Sequence, residues 1–396
     1  MRFLFRLRKF NVRYFSGTNF ILFMGQRIFI STTNDISTDN RVHKVAMLLL
    51  DLGYEVCWIG RELPSSTPLE RPYQTRRMKL FFRKGGLFYA EFQLRLVLTL
   101  FFAADRKTVL LSNDLDTLLP NFLISRFFGI PIVYDSHEYF CGVPEIQGRW
   151  VKRVWQAIEG AIFPKLPHVW TVNESIAGLY EQDYGNRPRV FRNISPAPKQ
   201  MVWRSRAELG LPEDVKIAIN QGSGMNVDRG LEEALEAVAG MEGWLLLLVG
   251  TGDAIPALQQ RVRLEGLEDK VRFVGRVPYA ELLSYTACAD VGLSLDKDTN
   301  INYRYSLPNK LFDYIHCGVP VVSSKVVEVA RVVDGYGVGR TVDPEDISGL
   351  RAAITAVGAD KSSWENALDQ ASTACTWEQE GVPLKAFYEE LLQAAR

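Results

Sequence analysis

Apolar runs and amphipathic stretches alternate along the chain, and their periods predict its elements. Residues 27–31 are apolar on both faces, as in a buried strand. Residues 42–52 carry apolar side chains three and four apart, as in a helix, which Gly53 closes, and residues 55–59 give a second strand. Strands follow at 109–112 and 131–135, with a helix at 118–128 between them, and at 169–173 and 189–193. The Pro-rich stretch between Asn193 and Val215 reads as a linker. A second series runs through strands at 216–221, 245–249, 271–275 and 291–295, with helices at 231–239 and 279–287. Pro308 suits a first helical turn and Gly318 a left-handed end, so about ten residues between them form one short helix. After Gly349 the pattern is mostly helical and ends in an amphipathic segment at 384–392. Strand alternating with helix, twice over, predicts an α/β protein of two parallel-sheet domains.

Composition supports large packed cores: 396 residues, 47% hydrophobic and 23% charged, which excludes a disordered chain. The zero net charge hides an asymmetry, with about 18 Lys and Arg against about 8 acids in residues 1–107 and about 28 against about 38 in the rest. Five cysteines lie far apart with no C-x-x-C pair. This argues against a disulfide framework or a zinc site and fits a reducing cytoplasm. The segment nearest to a membrane span, 87–104, is interrupted by Glu91, Gln93 and Arg95. The first 26 residues mix five bases with aromatics and contain no acid; they read either as a surface anchor or as an extension upstream of the true start at Met24. Residues 61–107 interleave bases with aromatics. They fit a solvated helical face, or an anionic membrane surface against which a cytoplasmic protein rests peripherally. No nucleic-acid motif accompanies them.

Several polar clusters sit where strands end, the usual ligand side of an open α/β sheet. The loop 31–41 is rich in Ser, Thr, Asn and Asp and lacks the glycines of a dinucleotide fingerprint; its Asp39 and Arg41 are either a helix cap and a surface base or cleft residues. Asp114 and Asp116 follow one strand, and His137 and Glu138, the former one of four histidines, follow another. Two glycine-bearing turns, Gly222-Ser223-Gly224 and Gly250-Thr251-Gly252, allow close backbone approach to a ligand or serve as tight turns, and Arg229 can pair with phosphate oxygens. In the short helix after Pro308, free N-terminal amides and Lys310 favour an anion while Asp313 can accept from hydroxyls; the alternative is a Lys–Asp surface pair.

Read together, Asp39-Asn40-Arg41-Val42, Tyr134-Asp135-Ser136-His137-Glu138, Arg229-Gly230, Val249-Gly250-Thr251-Gly252, Val271-Arg272-Phe273-Val274-Gly275, and Pro308-Asn309-Lys310-Leu311-Phe312-Asp313-Tyr314 followed by Gly318-Val319-Pro320-Val321-Val322 resemble, in order and spacing, the family-4 retaining glycosyltransferases of the GT-B fold. The resemblance runs from about Arg27 to the end. It implies two Rossmann-like domains facing a central cleft: an acceptor-binding domain at 27–197, a nucleotide-sugar-binding domain at 198–375, and a crossover helix at 376–396 beginning near Trp377. It implies transfer of a sugar from a nucleotide-sugar, a co-substrate with no other cofactor and no metal, to a glycan or lipid-linked glycan in cell-surface polysaccharide or glycolipid biosynthesis.

The resemblance also assigns residues. Arg229 matches the base that holds the diphosphate, His137 the histidine beside the reacting sugar carbon, and Asp313 the second acid of an E-x7-E motif, which binds ribose. Ser223, Gly224, Gly250, Gly252, Arg276, Tyr305, Pro308 and Asn309 fall on the donor side, and Asp39, Arg41, Asp114 and Glu138 on the acceptor side. The chain departs from the pattern at Tyr305, where the first acid is expected, and at Ser223, where a second diphosphate base is expected; Lys310 is the candidate to replace that charge. The same fold also serves nucleotide-sugar epimerases and phosphorylases. The missing acid leaves room for a non-catalytic nucleotide-sugar-binding subunit.

Overall fold

A computed structural model of the chain describes residues 26–394 apart from 38, 65, 144–145 and 197–202. The basic aromatic extension at 1–26, Gln26 excepted, therefore lies outside the described residues, as does part of the linker.

The N-terminal domain carries seven strands, β1 (Arg27–Asp35), β2 (Glu55–Glu62), β3 (Gln74–Lys79), β4 (Thr108–Asn113), β5 (Ile132–Ser136), β6 (Val169–Thr171) and β7 (Arg189–Val190), parallel throughout and ordered β3-β2-β1-β4-β5-β6-β7. Helices α1 (Asn40–Asp51), α2 (Gly86–Ala103), α3 (Leu115–Phe128), α4 (Trp150–Ile162) and α5 (Glu174–Tyr184) connect them. One face of the sheet packs Phe29, Leu110 and Tyr134 beneath α2, α3 and α4; the other packs Ile28, Ile30, Trp58 and Leu111 against α1. A strand buried on both sides needs apolar residues at successive positions, hence the unbroken runs in the sequence.

Two parts of this domain differ from the sequence expectation. Residues 74–79 form an edge strand rather than part of a helical face: Met78 points into the core while Gln74, Thr75, Arg76 and Lys79 stay exposed. An edge strand needs only one apolar anchor, and its exposed charges discourage pairing with another chain. The segment around residue 95 forms α2, the one helix among the described residues long and apolar enough to cross a membrane. It is packed into the domain through Phe88, Phe92, Leu96 and Leu100.

Among the described residues the C-terminal domain has six strands, β8 (Lys216–Gly222), β9 (Trp244–Gly250), β10 (Val271–Phe273), β11 (Val291–Ser294), β12 (Val321–Ser324) and β13 (Gly339–Val342), again parallel and ordered β10-β9-β8-β11-β12-β13. Its helices are α6 (Leu231–Ala239), α7 (Ile255–Glu265), α8 (Tyr279–Ala287), α9 (Ile301–Arg304), α10 (Asn309–His316), α11 (Val327–Tyr336), α12 (Ile347–Val357) and α13 (Glu365–Ala374).

The last helix, α14 (Trp377–Ala394), returns to the first domain and buries Leu384, Phe387 and Tyr388 in the core that holds Ile28 and Val45. The Tyr54 hydroxyl donates to the Tyr388 carbonyl at 2.7 Å, and Arg192 pairs with Glu380. In each sheet the strand order reverses beside the first strand, between β1 and β4 and between β8 and β11. Such switch points open a crevice at the strands' carboxyl ends, and both crevices face the interdomain cleft.

Candidate functional site

On the C-terminal side, the two glycine turns after β8 and β9 are tied to each other. Thr251 N donates to Gly222 O at 3.1 Å and Met225 N to Thr251 O at 3.0 Å. A Cβ on Gly250 would lie 1.8 Å from Gly222 O, and one on Gly252 2.0 Å from Met225 O. These two glycines are therefore required by the packing of one loop on the other. Gly224, by contrast, has open space where a Cβ would lie.

α10 starts where expected, with Pro308 in extended conformation as its N-cap and Gly318 left-handed just beyond its end. Asp313 is buried: one carboxylate oxygen accepts from Tyr279 Oη at 2.8 Å and the other from Gln221 Nε2 at 3.1 Å. Burial raises its pKa against the lowering effect of these hydrogen bonds. The Lys–Asp surface pair does not form, because Lys310 turns inward and donates to Asn220 Oδ1 at 3.1 Å. Burial draws the Lys310 pKa down, and Arg229 adds to this while Asp296 opposes it.

Asp296, beyond β11, is fully buried, pairs with Arg229 and accepts from Ser306 Oγ at 3.0 Å. The Arg229 guanidinium also stacks 4.0 Å over the Tyr303 ring, so its direction is fixed from two sides. Among the described residues, Arg229 Nε and Asp296 Oδ1 are buried without a hydrogen-bond partner. Sequence reading missed Asp296: it falls at the end of an apolar strand, a position that carries ligand-facing residues, but no motif marks it.

On the N-terminal side Asp114 adopts φ 58°, a region seldom used by a non-glycine residue. The turn brings Asp114 Oδ1 within 2.9 Å of His137 N and Oδ2 within 3.2 Å of His137 Nδ1. Across the ring, His137 Nε2 lies 3.5 Å from Asp135, which Arg41 holds with two contacts of 2.8 and 3.3 Å. Burial disfavours the imidazolium, but Asp114 and Asp135 outweigh it and raise the His137 pKa to about 9. Asp135 is itself held well below the usual carboxylate range by Arg41 and His137, against its burial. The two carboxylates therefore favour the protonated form of this half-buried ring at neutral pH. Asp39 caps α1, accepting from Val42 N at 3.1 Å. Asp116 turns away from Asp114 towards Thr33, and burial together with Asp114 lifts its pKa to about 7. The two carboxylates of this D-x-D spacing therefore do not converge on one point.

Two adjoining cavities fill the cleft. One, of about 800 Å³, is lined from the C-terminal domain by Ser223, Gly250, Arg276, Tyr279, Asn309 and Asp313. The other, of about 1020 Å³, runs from Arg229, Tyr303, Tyr305, Pro308 and Asn309 to Asp39, Arg41, His137 and Glu138. They meet at Asn40, Asn193, Ser223 and Asn309. Of the residues singled out from the sequence, Lys310, Asp114, Asp116, Gly224 and Gly252 do not line either cavity. Tyr305 lines the larger cavity, and its backbone carbonyl accepts from Asn173 Nδ2 of the other domain at 2.8 Å.

A second residue escaped the sequence reading. Lys44 on α1 lines the smaller cavity, reaches Asn193 Oδ1 at 3.1 Å and lies 4.5 Å from the Trp377 ring. Burial and Arg41 lower its pKa to about 7, against Asp313 and Asp39.

No curated protein matches the chain by sequence. Among solved structures, sucrose-phosphate synthase from Thermosynechococcus elongatus superposes with a TM-score of 0.78 at 19% identity, covering 93% of this chain and 100% of that one. HepE of Anabaena in complex with UDP superposes with a TM-score of 0.67 at 16% identity, over 92% of this chain and 100% of the other. WaaG, a glycosyltransferase involved in lipopolysaccharide biosynthesis, gives 0.67 and 16%, over 92% and 99%. At these identities the likeness concerns the fold. Residues 222–360, which include both glycine turns, Arg229, Asp296 and α10, match the family model described as Glycosyl transferases group 1, and the chain as a whole has the GT-B fold.

Proposed function

We propose that the protein transfers a sugar from a nucleotide-sugar to an acceptor hydroxyl with retention of anomeric configuration, without a metal, as a family-4 enzyme. The observation that carries this reading is the joining of the two cavities at Ser223 and Asn309, with a buried carboxylate at one end and two oriented cations along the other. A cavity of about 800 Å³ is the size of a small-molecule site. Asp313 receives the ribose hydroxyls there, and Arg276, with the backbone of Gly250, flanks the nucleoside. The diphosphate lies at the junction, between Arg229 and the N-terminal amides of α10. The sugar points towards His137, and the acceptor enters past Asp39, Arg41 and Glu138.

The bond from the anomeric carbon to the phosphate oxygen breaks, and its electron pair stays on the leaving diphosphate. Arg229, held by Asp296 and Tyr303, and the first turn of α10 stabilise that charge with little reorganisation. The acceptor oxygen bonds to the anomeric carbon on the face the leaving group vacates, and its proton passes to the departing phosphate oxygen. Lys310 strengthens the positive potential from beneath the helix terminus.

Turnover of a nucleotide-sugar panel tests the reading, beginning with UDP-sugars because HepE binds UDP and UDP-glucose. Released nucleotide with a new glycoside of unchanged anomeric configuration by NMR supports it. An isomerised nucleotide-sugar makes the protein an epimerase. Binding without turnover on any acceptor supports the non-catalytic reading, which Tyr305, in place of an acid, favours. Lys310→Ala with unchanged donor affinity removes Lys310 from the site.

A further inference from the structure

Next to the acceptor end of the cleft is a separate cavity of about 320 Å³, built between the end of β2, the end of β3 and the start of α2. Its charged lining is Arg61, Lys79 and Arg83 against the single acid Glu62, and its apolar lining includes Leu80, Phe82 and Phe88. Arg61 and Leu63 also line the larger cleft cavity, so the two spaces share a wall. The Arg61 guanidinium lies 4.9 Å from the Phe88 ring, and its buried Nε has no hydrogen-bond partner among the described residues. A buried donor without a partner points to an acceptor that arrives from outside.

The rim of this pocket is a built apolar surface. Glu91 accepts from Phe81 N at 2.9 Å and Phe82 N at 3.0 Å and pairs with Arg95 at 2.7 Å, which holds Phe81 out at 84% exposure. From there Leu87, Leu94, Leu98 and Phe102 continue along α2, all exposed, and Phe127 of α3 joins them. The four α2 positions fall within an arc of about 80° on the helix, opposite the face that buries Phe92 and Leu96. An exposed apolar stripe, crossed only by the Glu91–Arg95 pair, marks a contact surface. A second copy docking by a two-fold axis would set the same cationic rim, Lys79, Arg83 and Lys84, against itself. An anionic bilayer takes both the apolar stripe and the bases.

We propose that this pocket binds the phosphate of a membrane lipid while the α2 stripe enters the bilayer, so that the acceptor end of the cleft opens at the membrane surface. The inference rests on the reading of that end as the acceptor side and assigns the acceptor to a membrane-borne, phosphate-bearing amphiphile. Shared Arg61 then contacts the head of the same lipid that reaches the cleft.

The test is flotation of the full chain with vesicles of phosphatidylcholine, with and without phosphatidic acid, and with UDP-induced thermal stabilisation as an independent readout. The wild type partitions to phosphatidic acid vesicles and not to phosphatidylcholine alone. Each base near an anionic surface is worth about fivefold in partitioning, so Lys79→Ala/Arg83→Ala loses roughly thirtyfold, and Leu87→Ser/Leu98→Ser loses flotation too. Both variants keep the wild-type melting temperature and response to UDP. Equal flotation on both vesicle types overturns the proposal, as does an unchanged Lys79→Ala/Arg83→Ala. Competition by glycerol phosphate at equal phosphate concentration overturns it in favour of a soluble phosphate ester. A lipid-free dimer that Leu87→Ser/Leu98→Ser dissociates assigns the stripe to a second copy and overturns it as well. A wild type that ignores UDP and every nucleotide-sugar refutes the transferase reading, while the flotation result still decides the pocket.

Discussion

Replacing Asp114 with Asn leaves the His137 ring in place but takes away the nearer of its two counter-charges, 3.2 Å from Nδ1, and leaves Asp135 at 3.5 Å. In the folded protein His137 titrates at about 9 instead of 6.5, which amounts to about 3 kcal/mol between its two protonation states. Asp114 is the larger favourable contributor, because Asp135 is shared with Arg41, whose charge works against the imidazolium. Losing one close carboxylate lowers a partner's pKa by roughly one to two units, so in Asp114→Asn the ring should titrate near neutrality. Because the folded pKa lies above the unfolded one, this interaction stabilises the protein fully below pH 6.5 and is lost as the pH rises through 9. Asp114→Asn should therefore destabilise the protein at pH 6 and much less at pH 10. Histidine side-chain NMR titration, assigned with His137→Gln among only four histidines, reads the pKa directly, and urea melts at the two pH values read the linkage. A wild-type spectrum in which no histidine titrates above pH 7.5 would refute the reasoning.

Asp296→Ala leaves Arg229 partly buried without its counter-charge, so a stability loss of about 3–5 kcal/mol is expected in denaturant melts. Asp296→Asn should keep more of that stability yet weaken diphosphate binding more than nucleoside binding, as calorimetry with UDP and uridine would show. Asp313→Asn is expected to cost about 1.5–3 kcal/mol of nucleotide affinity, and equal calorimetric affinities would move the ribose elsewhere. Gly250→Ala meets both a φ of +143° and a Cβ 1.8 Å from Gly222 O, so its melting temperature should fall by the equivalent of about 2–4 kcal/mol. Arg192→Ala removes the contact with Glu380, and hydrogen exchange should rise across residues 377–394 while the C-terminal domain stays protected.

Both sheets and the short helix after Pro308 were legible because buried parallel strands must be apolar throughout and helix ends favour Pro and Gly. β3 was not, since an edge strand with one buried residue, Met78, carries almost no hydrophobic signal. Within the site, Arg229, His137 and Asp313 were found through local patterns, and the structure brings them to one cleft. Asp296 and Lys44 were missed because their meaning comes from partners far along the chain, Arg229 67 residues away and Asn193 149 away. The glycine turns allow either ligand approach or tight turning by sequence, and Gly250 and Gly252 answer to the packing of one loop on the other.

The return of α14 orders the assembly of the chain in time. Leu384, Phe387 and Tyr388 complete a core whose other members begin at Ile28, so the first domain to leave a ribosome stays open along one face until α14 is made. The second domain has all its strands between Lys216 and Val342 and its last core residue at Cys375, so it needs nothing from α14. Synthesis from the N-terminus thus leaves the earlier-made domain to finish last, with Ile28, Val45 and Trp58 awaiting cover, and a chain truncated before Trp377 should be the form that chaperones retain.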